Sequence, residues 1–152
     1  MGKLFGTDGI RGIANEQLDA VLAYRIGQAA ALVLGRGKSE KPVVVIGKDT
    51  RISSDMLEGA MIAGLTACGA NVHTLGVIST PAVALTTIMS KAAAGVVISA
   101  SHNPYDYNGI KFFGPDGSKL PDELESAIEE LILGDEPLPL KKGGDIGVTY
   151  DD

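Results

Sequence analysis

A polar loop between Ser99 and Asn108 holds the residue types needed to handle a phosphoryl group. Ser101 offers a hydroxyl, and His102 and Asn103 follow it directly. A serine hydroxyl is a poor nucleophile unless a base or an electrophilic partner activates it. Phosphoryl transfer is less demanding, because positioning and charge neutralisation supply most of the catalysis. The loop therefore predicts phosphate chemistry, and at this point either Ser99 or Ser101 could carry the group.

A cation follows the loop at Lys111. A phosphoserine carries about −1.5 to −2 charges at neutral pH, so it needs cations, backbone N–H groups or a metal nearby. Lys111 alternates with Ile110 and Phe112, and neighbouring side chains of a strand point to opposite faces. We expect Ile110 and Phe112 to be buried and Lys111 to reach back over the loop as a cation or proton donor.

Two other classes of protein could carry a loop of this composition. A serine hydrolase using Ser101 with His102 is disfavoured, because adjacent residues seldom give the nucleophile–base geometry and no Gly-x-Ser-x-Gly elbow is present. A non-catalytic phosphate-binding module is the alternative that remains.

The elements that must position the loop alternate between strands and helices. This order predicts an α/β fold, a three-layer α/β/α domain with a mixed, mainly parallel sheet of about four strands. Asn108-Gly109 predicts a tight turn into one antiparallel pair. Residues 3–13 are expected to be extended, and no packed element is expected after Gly134. The predicted strands are 42–46, 71–75, 94–98 and 109–113, and the predicted helices are about 20–35, 53–68, 81–90 and 121–133.

The composition limits the partners. The 152 residues include 13 basic and 19 acidic side chains, for a net charge of −6, and no run of Lys or Arg forms a stripe. Nucleic acid and anionic membranes are therefore not expected as partners. The apolar runs are too short to span a bilayer, and no signal peptide is recognisable, so we expect a cytoplasmic protein. The single cysteine, Cys68, is expected to be a reduced core thiol.

The amino-acid sequence around the loop closely resembles that of a known superfamily. Ser99-Ala100-Ser101-His102-Asn103-Pro104 is similar to the active-serine loop of the α-D-phosphohexomutases. Residues 1–12 and 107–120 resemble, more narrowly, the bacterial phosphoglucosamine mutase family within it. The resemblance covers nearly the whole chain, and its motifs are more specific for the superfamily than for the sugar.

The resemblance implies interconversion of glucosamine 6-phosphate and glucosamine 1-phosphate, a step toward peptidoglycan precursors. The alternative within the superfamily is a phosphoglucomutase or phosphomannomutase. The phosphorylated serine of the family maps onto Ser101 and not Ser99. Its phosphoryl group passes to the substrate, a bisphosphorylated sugar forms and reorients, and the other phosphoryl group returns to the serine.

The resemblance also suggests roles for the residues near the loop. Ser101 would carry the phosphoryl group and contact Mg²⁺ through it. Lys111 would be a general acid/base or a cation at the substrate hydroxyl, and His102 would orient the loop or touch the phosphate. Arg11 and Asn103 would bind substrate or phosphate.

Asp49 and Arg51 lie in another polar loop, Lys48–Arg51, which follows a predicted strand. Ligands of open α/β sheets bind beyond the carboxyl ends of the strands, so this loop and the Ser101 loop are expected at one edge. For Asp49 and Arg51 we favour support of the site loops over direct catalysis.

Several loops of the superfamily are absent from this chain. The Asp-x-Asp-x-Asp-Arg magnesium loop, the Gly-Glu-x-Ser-Gly-His sugar loop and the Arg-x-Ser-Gly-Thr phosphate loop do not occur. Residues 1–152 are therefore expected to be the first of four domains, the last ~15 residues being a linker toward the second. The remaining Mg²⁺ ligands would lie in an absent domain, the partners would be domains II–IV and a phosphorylated hexosamine, and a sugar bisphosphate would be the activator. The isolated domain is expected to fold but to lack turnover.

Overall fold

The computed structural model describes residues 4–6 and 9–151. Met1–Lys3, Thr7 and Asp8, which belong to the N-terminal signature, and Asp152 lie outside the described residues. The elements are β1 (Ile10–Ile13), α1 (Ala20–Leu34), β2 (Val43–Lys48), α2 (Ile52–Ala67), β3 (Asn71–Val77), α3 (Thr80–Met89), β4 (Ala94–Ile98), β5 (Tyr107–Phe113), α4 (Asp122–Leu133), a 3₁₀ turn (Gly143–Asp145) and β6 (Thr149–Asp151).

Within the described residues the strands form one six-stranded sheet in the order β1-β5-β4-β2-β3-β6. β2 is parallel to both β3 and β4, and β6 is parallel to β3. β5 is antiparallel to β4 and to β1. The predicted mixed, mainly parallel α/β fold is confirmed, and β1 and β6 extend the sheet beyond the strands that the sequence predicts.

The two faces of the sheet are covered differently. α1, α2 and α4 pack over the larger core, which includes Val96 and Ile98 of β4. α3 packs over the other face, where its Val83 meets Val45 and Val97. Because neighbouring residues of β4 enter different cores, the strand is buried at every position, as its continuous apolar run predicts. The layers are therefore helix, sheet and helix.

Helix starts agree with the predictions for α1 and differ for α2. The Asp19 side chain accepts a hydrogen bond from the Leu22 amide at 2.9 Å and caps α1. α2 begins directly after Arg51 with no side-chain cap. The prediction that Ser53 or Ser54 caps this helix is wrong, because Ser54 lies within it and donates its hydroxyl to Asp49 at 2.8 Å.

The predicted tight turn at Asn108-Gly109 is also wrong. Both residues lie inside β5 and are buried, and the antiparallel pair of β4 and β5 is joined instead by residues 99–106. Asn108 is held in the strand by hydrogen bonds from its side-chain amide to Ser53 and Ser54, at 2.9 and 3.1 Å. These partners satisfy a buried polar group that would otherwise favour a turn.

The segment after Gly134 contacts the rest of the domain, contrary to expectation. The Lys141 amide donates to the Ala67 carbonyl at 2.9 Å, and the Gly147 amide to the Thr66 carbonyl at 2.9 Å. β6 then pairs with β3. A three-residue exposed strand has no apolar pattern, so the sequence offers little signal for it. That this segment is a linker toward a second domain stays a prediction.

The N-terminal segment is tied to α4 by a buried carboxylate. Glu129 accepts hydrogen bonds from the amides of Leu4 and Phe5, at 2.5 and 3.0 Å. Phe5 packs edge-on against Phe112 with the ring centroids 6.0 Å apart. The chain then reaches β1, and so α4 helps to fix the strand that carries Arg11.

Among the described residues, every helix is too short or too polar to cross a bilayer.

Candidate phosphoryl-transfer site

The Ser101 loop leaves β4 at its carboxyl end and returns as β5 at the same edge of the sheet. Ser101 and His102 are exposed, and Asn103 is half-buried. The loop lies on the open surface of the domain. A cavity of about 420 Å³ lies elsewhere, between Gly35, Pro42, Cys68 and Lys141, and the loop is not part of it. A molecule bound at Ser101 would therefore need additional residues to enclose it.

Ser101 has a left-handed backbone, with φ of 56°. This conformation is uncommon for a residue with a Cβ atom and costs roughly 1 kcal/mol or more, so it persists only where the surroundings impose it. Its amide donates to the Ser99 hydroxyl at 3.1 Å. The amide of Asn103 donates to the Ala100 carbonyl at 3.1 Å. Local hydrogen bonds thus hold the loop in a tight bend with Ser101 exposed on it.

Arg51 lies beneath this bend and donates to its main chain. One guanidinium nitrogen, Nη2, donates to the carbonyls of Ser101 and Asn103, at 3.0 and 2.9 Å. The other, Nη1, donates to the carbonyls of Pro104 and Tyr107, at 2.5 and 3.0 Å. Only 12% of the Arg51 side chain is exposed. The planar fork suits such multiple contacts, and it fixes the course of the loop from Ser101 to Tyr107.

Asp49 fixes Arg51 in turn. Its carboxylate accepts from Arg51 Nε at 3.0 Å and from the Arg51 amide at 3.1 Å. Burial by itself would raise the pKa of Asp49, but hydrogen bonds from the Arg51 amide, Ser54, Ser99 and the Arg51 side chain outweigh it and lower the pKa. Asp49 therefore stays ionised. These contacts show that Asp49 and Arg51 support the Ser101 loop. That they act through this support and not directly in catalysis stays a prediction.

Asn108 is the supporting residue that the sequence reasoning missed. It joins β5 to α2 through Ser53 and Ser54, and its own Oδ1 accepts from the Gly109 amide at 2.8 Å. A signal was present, because residues 108, 110 and 112 share one face of a strand and the last two are apolar. That spacing indicates a buried asparagine.

Arg11 lies beside the start of the loop. It stands opposite Gly109 in the pairing of β1 with β5. A Cβ at Gly109 would lie 3.0 Å from Arg11 Cγ and 2.9 Å from the Ser99 carbonyl oxygen. Glycine therefore lets the arginine stem and the loop approach each other closely, which places Arg11 next to the Ser101 loop.

Lys111 lies two residues after Gly109 in β5. It lies opposite Val97, while Ile110 lies opposite Ile98. Val97 packs in the core beneath α3, whereas Ile110 and Phe112 are in the larger core. The predicted alternation is thus confirmed: Lys111 is on the α3 face. Whether Ser101, His102, Asn103, Arg11 and Lys111 act in catalysis or binding stays a prediction.

Lys48 is a further cation at this edge, at the end of β2. Its ammonium lies 2.7 Å from Asp55 and 3.0 Å from Glu58. Hydrogen bonds to Asp55 and then Glu58 raise the pKa of Lys48 above its ordinary value of 10.5. The Lys48 ammonium is therefore paired with these carboxylates. Arg51, through its hydrogen bonds, and Arg11, opposite Gly109, lie closer to the Ser101 loop in the arrangement described above.

A divalent cation at this site would need several oxygen ligands. Mg²⁺ prefers oxygen ligands in near-octahedral geometry. Among residues 4–6 and 9–151 no three His, Cys, Asp or Glu side chains are grouped so that they could hold a metal ion. The described residues therefore do not make a complete metal site by themselves.

Comparison with known proteins identifies the family. Residues 2–138 match the family model described as phosphoglucomutase/phosphomannomutase, alpha/beta/alpha domain I. A phosphoglucosamine mutase of Syntrophomonas wolfei is 57% identical over 152 residues, covering 99% of this chain. One of Caldanaerobacter subterraneus is 60% identical over 147 residues, covering 97% of this chain.

A solved structure supports the same assignment. A protein of Thermus thermophilus assigned as a phosphomannomutase is 31% identical and superposes with a TM-score of 0.80, covering 99% of this chain and 33% of that one. The chain spans 34% of the length of the Syntrophomonas relative and 33% of the Caldanaerobacter one. The chain belongs to the phosphoglucomutase/phosphomannomutase family and corresponds to its alpha/beta/alpha domain I.

Proposed function

We propose that this chain is the serine-bearing domain of an enzyme that interconverts glucosamine 6-phosphate and glucosamine 1-phosphate. The observation that carries the proposal is the Ser101 loop, which a buried arginine fork holds in a left-handed bend with the serine exposed. The sugar is proposed from the relatives at 57% and 60% identity, which are named phosphoglucosamine mutases.

The reaction begins with a phosphorylated Ser101. The phosphorus–Oγ bond of Ser101 breaks, a bond from phosphorus to a sugar hydroxyl oxygen forms, and the hydroxyl proton ends on Oγ. The product is a bisphosphorylated sugar. After it reorients, its other phosphoryl group returns to Ser101 in the reverse of these steps. Nothing is oxidised, and a sugar bisphosphate would also activate an unphosphorylated enzyme.

The residues around Ser101 have separate roles in this proposal. Lys111 relays the proton between the sugar hydroxyl and Oγ, and His102 orients the loop or contacts the phosphate. Arg11 and Asn103 bind phosphate or substrate. Arg51 and Asp49 keep the loop in place. The amino terminus of α2, which follows Arg51 directly, adds positive potential at this edge.

Mg²⁺ would be held by a phosphate oxygen on Ser101, with its other ligands in the two thirds of the relatives' length that this chain lacks. When bound, it would neutralise charge on the transferring phosphoryl group. The substrate is a phosphorylated hexosamine, the remaining domains are the partners, and a cytoplasmic location stays part of the proposal. The isolated domain is expected to lack turnover.

The first experiment is intact-mass measurement of the full-length protein. We expect a phosphate-sized mass increment that disappears in Ser101→Ala and persists in the matched variant Ser99→Ala. Persistence of the increment in Ser101→Ala would refute the assignment of the carrier.

The second experiment compares turnover of glucosamine, glucose and mannose phosphates by the full-length protein. The proposal predicts the highest kcat/KM with the glucosamine phosphate. A clear preference for glucose or mannose phosphate would leave the carrier in place and refute the sugar.

A further inference from the structure

A basic cavity lies at the edge of the sheet opposite the Ser101 loop. Its volume is about 420 Å³, which is many times the roughly 30 Å³ that one water molecule occupies in the liquid. It lies between the connection from α1 to β2 and the segment after α4. β2 and β3 begin beside it, whereas β4, which is parallel to β2, ends at the Ser101 loop. The cavity is therefore separate from the residues of the proposed reaction.

The charge of the cavity wall is opposite in sign to that of the whole chain. The charged residues of the wall are Arg36, Lys38, Glu40, Lys41, Lys141 and Asp145. Four of them are basic and two are acidic, which gives the wall a formal charge of +2, whereas the chain carries −6. Four of the 13 basic side chains are thus gathered around one cavity, and such a concentration attracts anions.

Lys41 holds the two sides of the cavity together. Its ammonium donates to the carbonyls of Gly144 and Ile146, at 2.6 and 3.0 Å. These bonds tie the residue before β2 to the segment after α4. An ammonium has three donors, so one of them is left for a ligand.

Lys141 lies directly over the cavity wall. A Cβ at Gly69 would lie 3.2 Å from Lys141 Cγ and 3.4 Å from its Cε, so the stem of the lysine crosses this glycine. Burial raises the pKa of the Cys68 thiol, and the positive charge of Lys141 opposes that rise. The Lys141 ammonium therefore acts on the interior of the cavity, where Cys68 lies.

The remaining cations have donors available for a ligand. In the part of the chain that the structure describes, the charged groups of Arg36, Lys38 and Lys141 form no hydrogen bond or ion pair. The carboxyl ends of α1 and α2 also reach this cavity, at Gly35 and Cys68. Each helix end contributes about half a negative charge. Together they offset about one of the two net positive charges, so a positive excess remains.

We infer that this cavity binds a diphosphate group. Such a group presents anionic oxygens at two phosphorus centres, and the donors of the wall come from two separate segments, around Lys38 and around Lys141. Arginine and lysine both bind phosphate oxygens through strong charge-assisted hydrogen bonds. The group is either inorganic pyrophosphate or the diphosphate of an organic ester. The inference does not depend on the proposed reaction.

The first test is a calorimetric titration of the full-length protein with sodium pyrophosphate at constant ionic strength. Lys38→Gln and Lys141→Gln each remove one cation of the wall. Lys142→Gln is the matched control, because Lys142 is exposed beside Lys141 but is not part of the wall. Loss of a charge-assisted hydrogen bond weakens binding by about tenfold or more. We expect that loss in both wall variants and a change of less than about twofold in Lys142→Gln.

The second test locates the bound anion by acetylation of lysines, followed by peptide mass spectrometry. Pyrophosphate should protect Lys38 and Lys141 from acetylation and leave the reactivity of Lys142 unchanged. Pyrophosphate bound at Ser101 instead would leave Lys38 and Lys141 unprotected and would contradict the inference. A titration with ADP then identifies the source, since tighter binding than pyrophosphate indicates an organic ester and weaker binding indicates the inorganic ion.

Three results would overturn the inference. The first is a wild-type protein that does not bind pyrophosphate, in which case the cations only balance the helix ends. The second is an affinity that both wall variants retain. The third is an equal loss of affinity in Lys142→Gln, which would show a general effect of charge and not a site.

Discussion

Replacing Arg51 with Ala tests whether the arginine fork positions Ser101, the serine that we propose as the phosphoryl carrier. The variant loses hydrogen bonds to the carbonyls of Ser101, Asn103, Pro104 and Tyr107. A hydrogen bond to a charged group contributes about 1.5–3 kcal/mol. Because this loop is exposed and water can replace the donors, we take about 0.5–1 kcal/mol for each. The free energy of unfolding should therefore fall by about 2–4 kcal/mol.

A stability loss alone would not distinguish positioning from general support. Arg25 supplies the control, because its guanidinium donates to the carbonyls of Leu131, Ile132, Gly134 and Glu136 at the end of α4. Arg25→Ala should lose a similar free energy of unfolding. That contact is with the end of α4 and not with the Ser101 loop, so phosphoryl transfer should be unaffected.

Urea unfolding and mutase turnover of the full-length protein separate the two variants. A reacting atom displaced by about 1 Å costs roughly a hundredfold in rate. We expect kcat to fall about a hundredfold in Arg51→Ala and to change less than about twofold in Arg25→Ala. Equal kcat values in the two variants, at conditions where both are folded, would refute the positioning role.

Two further predictions concern stability. Asp49 has a lowered pKa in the folded protein, so its ionised form stabilises the fold. This contribution to the free energy of unfolding is complete above the ordinary pKa of 3.8 and is lost as the pH falls through the pKa of the folded protein. Urea midpoints measured from about pH 6 down to about pH 3 should fall less steeply in Asp49→Asn than in the wild type, and equal slopes would contradict this. Gly9 has φ of 88°, and a Cβ there would lie 2.3 Å from the Ile110 carbonyl oxygen. Gly9→Ala should lower the free energy of unfolding in urea by about 2 kcal/mol or more. Gly37 is the control, because it has φ of 70° but no atom within 4 Å of an added Cβ, and Gly37→Ala should lower it by only about 1 kcal/mol. Equal losses in the two variants would show that the close contact at Gly9 does not matter.

The central elements could be predicted from the sequence because local signals and burial agree there. β4 is an unbroken apolar run that is buried on both faces, and α1 has Asp19 as its cap. The position of the Ser101 loop at a sheet edge is predictable because the loop follows such a strand. These features depend on neighbouring residues, which the sequence displays directly.

The remainder depends on contacts between distant parts of the chain. Asn108-Gly109 has the local signature of a turn, but hydrogen bonds to Ser53 and Ser54, more than fifty positions away, place it in a strand. β6 has no apolar pattern and forms because β3 offers it an edge. Likewise, the sequence predicts Arg51 as a support, but nothing in the neighbouring residues shows that its side chain reaches the Tyr107 carbonyl.

The arginine fork also bears on how this site could change during evolution. Every loop atom that accepts from the guanidinium is a main-chain oxygen, and nearly any amino acid can supply one. The side chain of Tyr105 is exposed and takes no part in these bonds. A substitution at Tyr105 can therefore alter the surface of the loop while the loop keeps its path. Selection could act on this position without first changing the residues that hold the loop.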